Sequence, residues 1–321
     1  MKGVYFGHYE DFEGVTGVSV IIFPDGVVAS CDIRGSAPGT RETALLEPTK
    51  MINRIHGICL SGGSAFGLSA ASGVMRYLKE KNIGFETGFG KVPIVPSAII
   101  FDLGIGRSDT FPDEEMGYKA CLNLKEVPHE GSLGAGTGAT VGKILGMNKA
   151  TKSGVGFYSE KIHGVQVSAF SVVNAFGDIY ENGKIIAGAR KLMGKGFLNT
   201  EEHLKTLIGK LTMNKIENTT LVVVITDAKI EKWEAKKISE MAHDGVARAI
   251  KPVHTMLDGD IVFTVSTCSG KEIDVTTLGT FAASVTEKSI IRAVKLSKSL
   301  GGIPSFSDLK DFIQEDNQEP S

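Results

Sequence analysis

The sequence predicts a layered α/β fold, and three observations support that prediction. Short apolar runs rich in β-branched residues recur between turn residues and indicate strands. Two longer segments, 229–250 and 275–300, indicate helices. Strands and helices come in paired blocks, and the strand connections are typical of antiparallel pairing with helices on the outer faces. With 321 residues the chain can build one large core, so we expect a single domain over residues 1–321.

The first elements are defined by their turn residues. Residues 15–23 and 27–33 flank Pro24-Asp25-Gly26, which predicts a β-hairpin. Residues 57–60 form a short apolar strand, and a helix is expected over 65–81. That helix carries several small residues, so we expect another element to pack closely against it.

The second half repeats this alternation. Strands are predicted at 154–158, 165–174, 179–180, 219–225 and 261–265. The pattern weakens over 187–215, where only a short helix at 201–209 is expected. Asp227 is predicted to cap the helix at 229–250. The acidic tail from residue 305 is expected to fray.

Composition and charge exclude several classes of protein. The formal net charge is −2 and no basic block is present, so no nucleic-acid partner is expected. No stretch of about 18 uncharged apolar residues occurs, so no membrane partner is expected. The N-terminus lacks a signal-peptide pattern, which favours a cytoplasmic location. The four cysteines and seven histidines show no metal-ligand spacing, so we expect neither a metal nor a cofactor.

Two glycine-rich segments resemble phosphate-binding loops only weakly. Residues 134–139, Gly-Ala-Gly-Thr-Gly-Ala, match a dinucleotide-loop pattern, but no strand precedes them. Gly142-Lys143 resembles the end of a P-loop, but Ile144 replaces the required Ser or Thr. Lys143 follows what we expect to be the start of a helix. Nucleotide binding is therefore not predicted.

Several polar residues lie at predicted strand ends, each with two interpretations. Ser61-Gly62-Gly63-Ser64 could hold a nucleophile or an anion, or form only a tight turn. Asn174 could donate to an oxyanion or serve as a turn residue. Asp258 and Asp260 could act as a carboxylate pair pointing the same way, or Asp-Gly could merely shape a turn. We interpret His243 and His254 as hydrogen-bonded structural or surface histidines rather than as catalytic bases.

The junction Asn218-Thr219 precedes an apolar strand. If the bond between them is cut, the Thr219 hydroxyl gains its own α-amine as a neighbouring base. On the residues alone this signal is weak, because Thr is common at strand ends and Asn in turns.

Taken together, these segments resemble the P1/S58 peptidase family. That family includes L-aminopeptidase/D-amidase/esterases, β-peptidyl aminopeptidases and nylon-oligomer hydrolases. The matching segments run in order over nearly the whole chain: Gly39–Thr43, Leu60–Leu68, Gly134–Ala139, Val173–Asp178, Asn218–Thr220, Thr226–Ala228 and Asp258–Asp260.

The resemblance implies an αββα sandwich and a precursor that cleaves itself. It places the cut between Asn218 and Thr219, giving an α subunit 1–218 and a β subunit 219–321, with tetramers of αβ units. Thr219 would be the nucleophile. It implies further catalytic roles for Lys143, Asn174, Asp258 and Asp260. We also assign substrate binding to Ser61, Gly62, Phe101, Gly136 and Thr137.

The resemblance is greatest to the nylon-oligomer hydrolase branch, which uses Thr where the aminopeptidases commonly use Ser. Phe101 stands where the aminopeptidase branch carries Tyr, and it has no hydroxyl to donate. The implied substrates are short peptides, amino-acid amides or esters, and ω-amino-acid oligomers. An acyltransferase of the ornithine acetyltransferase type and a non-processing binding protein on the same scaffold remain the alternatives.

Overall fold

The computed structural model describes residues 1–206 and 218–315. Its strands are β1 (Tyr5–Asp11), β2 (Thr16–Ile33), β3 (Thr40–Arg41), β4 (Arg54–Ser61), β5 (Phe85–Thr87), β6 (Gly90–Val92), β7 (Ser97–Ile99), β8 (Thr140–Val141), β9 (Thr151–Lys152), β10 (Val155–Ile162), β11 (Val165–Asn174), β12 (Asp178–Glu181), β13 (Lys184–Ala187), β14 (Ala189–Arg190), β15 (Phe197–Leu198), β16 (Thr219–Thr226), β17 (Ile250–Lys251) and β18 (Ile261–Ser266).

Six α-helices and several short 3₁₀ turns complete the described residues. The helices are α1 (Ala70–Glu80), α2 (Glu114–Leu122), α3 (Thr200–Leu204), α4 (Lys232–Ala249), α5 (Val275–Lys295) and α6 (Lys310–Glu315). The 3₁₀ turns are Thr43–Leu46, Ser64–Ser69, Gly134–Gly136, Met147–Lys149 and Phe306–Leu309. In the part of the chain that the structure describes, no helix is both long enough and apolar enough to cross a bilayer.

A nine-stranded mixed sheet dominates the fold, in the order β10-β11-β16-β18-β2-β4-β7-β3, with β1 also paired to β2. Strand β2 is 18 residues long. Its first half pairs with β1 and β4, and its second half pairs with β18. The register against β4 shifts between Ile22 and Val27, where the long strand carries a bulge.

The predicted hairpin at Pro24-Asp25-Gly26 is therefore wrong. These residues form the bulge of one continuous strand, with Gly26 at a φ of 68°. The turn residues matched a hairpin, but the flanking segments find their partners on β1, β4 and β18 rather than on each other. Tertiary pairing thus overrides the local turn chemistry.

Alternating side chains give the sheet two different faces and create four layers. In β2, Val18 and Val20 pack with α1 and α2, whereas Ile21 and Phe23 pack into an inner core between the two halves of the sheet. In β16 and β18, alternate residues face α4 and α5 or the same inner core. The two halves of the sheet pack face to face with helices outside, which gives the predicted αββα layering, although both halves belong to one sheet.

Close contacts between glycines and backbone fix the helix pair on one outer face. A Cβ on Gly73 of α1 would lie 1.8 Å from the carbonyl oxygen of Glu114 in α2. A Cβ on Gly117 would lie 2.0 Å from the carbonyl oxygen of Ala70. The prediction that another element packs closely on the first helix is confirmed.

Several predicted element boundaries need correction. The helix predicted over 65–81 begins as a 3₁₀ turn and becomes α-helical only at Ala70. Helix α4 is capped by Glu231, whose partner in the capping box is Glu234. Asp227 is not the cap, because its carboxylate accepts from the backbone N–H of Gln166 instead. The helix start expected directly before Lys143 is wrong, because the 3₁₀ turn Gly134–Gly136 and strand β8 occupy that segment.

Other predictions match the structure closely. Strand β11 has the predicted bounds, and β4, β10, β16 and β18 extend their predicted cores by a few residues. Helix α3 covers Thr200–Leu204, whereas predicted residues 207–209 lie outside the described residues. The fraying predicted from residue 305 is wrong for residues 306–315, which form a 3₁₀ turn and helix α6, and the last six residues lie outside the described part of the chain.

Candidate active site

The predicted catalytic residues lie close together at one end of the central strands of the sheet. Asn174 ends β11 and lies directly opposite Thr219, which begins β16. Asn218 forms a parallel bridge with Asp258, just before β18. Strand β11, antiparallel to β16, places Asn174 beside the start of β16. The segment before β18, which is parallel to β16, places Asp258 there as well. All of them are buried, and Thr219 retains only 3% of its exposure.

Hydrogen bonds immobilise the peptide bond between Asn218 and Thr219. The N–H of Asn218 donates to the carbonyl of Leu257 at 2.7 Å, and the carbonyl of Asn218 accepts from the N–H of Gly259 at 2.8 Å. The Thr219 hydroxyl donates to that same Asn218 carbonyl oxygen. A hydroxyl thus lies beside the carbonyl that it would attack in an N→O acyl shift.

Lys143 and Asn174 form a second part of the cluster. The Lys143 ammonium donates to the side-chain oxygen of Asn174 at 2.7 Å and to its backbone carbonyl at 3.0 Å. The N–H of Thr140 also donates to the Asn174 side-chain oxygen, and the amide nitrogen of Asn174 donates to the carbonyl of Phe101 at 2.9 Å. These bonds fix the orientation of the amide, whose nitrogen carries a second hydrogen able to donate to an oxyanion.

The two aspartates stabilise different segments. Asp258 accepts from the N–H and hydroxyl of Thr255, at 3.0 and 2.5 Å. Asp260 accepts from the N–H of Thr220 at 2.7 Å and from the imidazole of His254 at 2.8 Å. Asp260 therefore anchors the residue that follows Thr219. His254 is a hydrogen-bonded structural residue, as expected.

Burial shifts the proton affinities of this cluster toward neutrality. Burial raises the pKa of Asp258 to about 6, and the neighbouring charge of Asp260 adds to that shift. Burial lowers the pKa of Lys143 to about 7, although the charges of Asp258 and Asp102 oppose the effect. Groups with pKa values near 6 and 7 can each gain or lose a proton near neutral pH, which suits acid–base catalysis.

Asp102 is a member of this region that the sequence did not single out. Its carboxylate accepts from the N–H of Gly63 at 2.6 Å and from the hydroxyl of Thr16 at 2.8 Å. Burial raises its pKa to about 6. The available signal was a single aspartate directly after an apolar run, next to Phe101.

Two of the five predicted substrate-binding residues, Phe101 and Gly62, contact residues of the cluster, and the other three make hydrogen bonds elsewhere. Phe101 reaches the cluster through its carbonyl, and a Cβ on Gly62 would lie 2.1 Å from the Asp102 carboxylate. The Gly136 carbonyl accepts from the Lys152 ammonium. The hydroxyls of Ser61 and Thr137 are buried, and each bonds to a carbonyl of its own loop.

The Ser61 hydroxyl donates to Gly67 and the Thr137 hydroxyl to Gly134. This geometry favours the tight-turn interpretation of Ser61-Gly62-Gly63-Ser64 over a nucleophile. The segment 134–139 contains a 3₁₀ turn and leads into β8, so it lacks the strand-to-helix context of a dinucleotide loop. Within residues 1–206 and 218–315, no three His, Cys, Asp or Glu side chains are grouped as metal ligands.

Comparison with known proteins identifies the family. Residues 1–305 match the model of Peptidase family S58. The chain belongs to this family. An uncharacterised aminopeptidase of Mycobacterium tuberculosis is 35% identical to this S58 chain, over 96% of both sequences. A 6-aminohexanoate-oligomer endohydrolase of Kocuria sp. is 30% identical, over 90% of this chain and 82% of that protein.

A solved structure supports the same fold. The L-aminopeptidase D-Ala-esterase/amidase of Ochrobactrum anthropi, a variant of the Ntn hydrolase fold, superposes with a TM-score of 0.71. The match covers 99% of this chain and 93% of the other at 16% identity. From its family and its relatives, this S58 chain is a hydrolase that acts on amide or peptide bonds.

Proposed function

We propose that this S58 hydrolase cleaves itself between Asn218 and Thr219 and then uses Thr219 as an N-terminal nucleophile. The observation that carries the proposal is the position of the Thr219 hydroxyl, which hydrogen-bonds the carbonyl oxygen of Asn218. Lys143, Asn174, Asp258 and Asp260 surround this junction. Such a set of groups suits acyl transfer to a hydroxyl.

The first reaction is an N→O acyl shift followed by hydrolysis. The Thr219 oxygen bonds to the carbonyl carbon of Asn218 and loses its proton. The C–N bond then breaks, and the nitrogen of Thr219 takes up one proton. Water next hydrolyses the ester, which leaves a carboxylate on Asn218 and a free amine and hydroxyl on Thr219.

The second reaction uses the same centre on an external amide. An α-amine has a pKa of about 7.7–8.0, so the new amine of Thr219 can accept the hydroxyl proton near neutral pH. The charge of Lys143 disfavours a second cation and keeps that amine neutral. Asn174 donates to the oxyanion, while Asp258 and Asp260 orient Thr219 and balance the positive charge.

The substrates that we propose are short peptides, amino-acid amides or esters, and ω-amino-acid oligomers. The names of the relatives support both ends of this range, from aminopeptidase to oligomer endohydrolase. Phe101 provides no hydroxyl to bind a substrate, which argues against a strict α-aminopeptidase specificity and for a wider range of amide substrates. We further propose that αβ units assemble as tetramers and act without a cofactor.

The test compares two adjacent threonines. Thr219→Ala should leave one unprocessed chain with no amidase activity, because the nucleophile is lost. Thr220→Ala is the matched control and should process and turn over normally, because Asp260 bonds to the backbone of Thr220 rather than to its hydroxyl. Amino-acid anilides and 6-aminohexanoate oligomers serve as substrates, with and without an added amine acceptor.

Two fragments from Thr219→Ala would contradict the assignment of the nucleophile. Acyl transfer to the amine that outruns hydrolysis would instead support the acyltransferase alternative.

A further inference from the structure

The carbonyl oxygen of Asn218 accepts a hydrogen bond from a backbone N–H to which no catalytic role was assigned above. The backbone N–H of Gly259 donates to this oxygen at 2.8 Å. Gly259 lies between Asp258 and Asp260, and both of these residues are held by their own hydrogen bonds. The donor is therefore fixed in place before any reaction begins.

A second segment holds Gly259 from the opposite side. The carbonyl of Asp258 accepts from the N–H of Ala37 at 2.9 Å. The carbonyl of Asp260 accepts from the N–H groups of Arg34 and Gly35, at 3.0 and 3.2 Å. The residues on either side of Gly259 are thus tied to the segment 34–37, so the N–H of Gly259 has little freedom to leave the Asn218 carbonyl.

The absence of a side chain at residue 259 allows the Thr219 hydroxyl to lie close by. A Cβ at this position would lie 2.8 Å from the Thr219 hydroxyl oxygen and 2.6 Å from the carbonyl oxygen of Ala37. Gly259 does not have a positive φ, so backbone conformation does not explain the glycine. Close approach of the Ala37 carbonyl and of the nucleophile does explain it.

We propose that the Gly259 N–H is the oxyanion donor of self-cleavage, separate from the Asn174 amide that serves substrate hydrolysis. The inference rests on the proposed self-cleavage at Asn218-Thr219. When the Thr219 oxygen bonds to the carbonyl carbon, the Asn218 oxygen gains negative charge, and the Gly259 N–H already points at it. A donor held in this position stabilises the charge without reorganisation.

This arrangement gives one nucleophile two oxyanion donors for two reactions. The Asn174 amide nitrogen donates to Phe101, and none of its hydrogen bonds reaches the Asn218 carbonyl. The Gly259 N–H is directed at that carbonyl. Loss of one donor should therefore slow one reaction and leave the other largely intact.

The experiment removes the N–H without changing any side chain. Cell-free synthesis of the full chain with glycolic acid in place of Gly259 changes one amide to an ester. The same replacement at Gly270 is the matched control, because its N–H also donates to a backbone carbonyl, that of Asp227, at 2.7 Å. A pulse of radiolabelled methionine followed by a chase gives the first-order rate of conversion of full-length chain to fragments on denaturing gels.

We expect the ester at residue 259 to slow self-cleavage by about 10²–10³-fold, the typical effect of removing one oxyanion donor. The ester at residue 270 should cleave at the rate of the natural sequence. Equal rates for the two esters would overturn the inference while leaving the proposed function intact. If the natural sequence itself remained uncleaved, the proposed function would fail, and the inference with it.

A second measurement tests the inference if the chain with the ester at residue 259 fails to fold. In the full chain carrying Thr219→Ala, hydrogen exchange of the Gly259 amide should be strongly protected, whereas the exposed turn residue Gly88 should exchange fast. Equally fast exchange at both residues would show that the Gly259 bond to Asn218 does not exist, and would overturn the inference.

Discussion

Two buried lysines lie within the β8–β9 hairpin, Lys143 just after β8 and Lys152 in β9, and their surroundings differ. Lys143 and Lys152 are 1% and 0% exposed, and burial lowers the pKa of each to about 7. Lys143 donates to the backbone and side chain of Asn174. Lys152 donates only to backbone carbonyls, those of Gly136, Ala139 and Ser153.

The difference shows that a shifted pKa does not by itself define a catalytic residue. The hydrogen bonds of Lys143 connect it to Asn174, which lies opposite Thr219. Those of Lys152 close the loop over residues 134–139 and the turn at Ser153. The proposed function gives chemistry to Lys143, and these contacts suit Lys152 to a structural role, although burial shifts both pKa values alike.

The sharpest test of this comparison replaces each lysine by methionine. Lys143→Met should lower kcat by about 10²–10⁴-fold, the range for losing an acid–base group, because the Thr219 amine would no longer be held in the neutral form that accepts a proton. Its effect on stability should be modest, because the Asn174 side-chain oxygen keeps the bond from Thr140. Steady-state kinetics and urea unfolding measure the two effects.

Lys152→Met should show the opposite pattern. It leaves three carbonyls without their donor, at a cost of about 1–3 kcal/mol for each acceptor that stays unsatisfied. The folded fraction should retain a kcat close to that of the natural sequence. Similar losses of kcat in the two variants would remove the distinction between the lysines.

A smaller effect is expected when the partner of Lys143 is changed. Asn174→Ala should lower kcat by about 10²–10³-fold, because one oxyanion donor is lost. Self-cleavage should continue. Asn123→Ala is a suitable control, since its exposed amide also donates to a carbonyl, that of His8, away from the site. Normal turnover in a processed Asn174→Ala protein would exclude Asn174 from the site.

The last prediction concerns stability rather than turnover and is a pH dependence caused by Lys152. Its folded pKa of about 7 lies below the value of about 10.4 for an unfolded lysine. Below pH 7 both states bind the proton, and the full penalty of burying the charge is present. Between pH 7 and 10 only the unfolded chain binds it, so stability rises with pH.

Lys152→Met lacks this titration. In a Thr219→Ala background, which keeps the chain intact, the difference in unfolding free energy between parent and Lys152→Met should grow with pH. The slope should reach about 1.4 kcal/mol per pH unit between pH 7 and 10. Urea unfolding at several pH values measures this slope. If the unfolding free energies of the two proteins changed with pH in parallel, the lowered pKa of Lys152 would be contradicted.

Much of the fold was predictable, because local patterns are strong where burial is regular. The apolar runs of β11 and β16 placed both strands, with Asn174 at the end of the first and Thr219 at the start of the second, and the family resemblance implied their catalytic roles. The 18-residue strand β2 was not predictable, since its continuity depends on partners distant in sequence. A turn sequence such as Pro24-Asp25-Gly26 does not reveal those partners.

Part of the site also escaped prediction, for a different reason. Asp102 and Lys152 are single charged residues in ordinary segments, and only the fold shows that both are buried. The sequence Asp258-Gly259-Asp260 fitted two interpretations equally, a turn or a pair of catalytic carboxylates. The contact between Gly259 and the Asn218 carbonyl joins residues about forty positions apart, and such a backbone contact leaves no mark in composition.

Intact-mass analysis of the purified natural protein, with sequencing of the N-terminus of the smaller chain, tests the central claim most directly. The account predicts two chains, residues 1–218 and 219–321, the second beginning with Thr219. A single chain of 34.2 kDa in active protein, or a smaller chain that begins at any other residue, would contradict it.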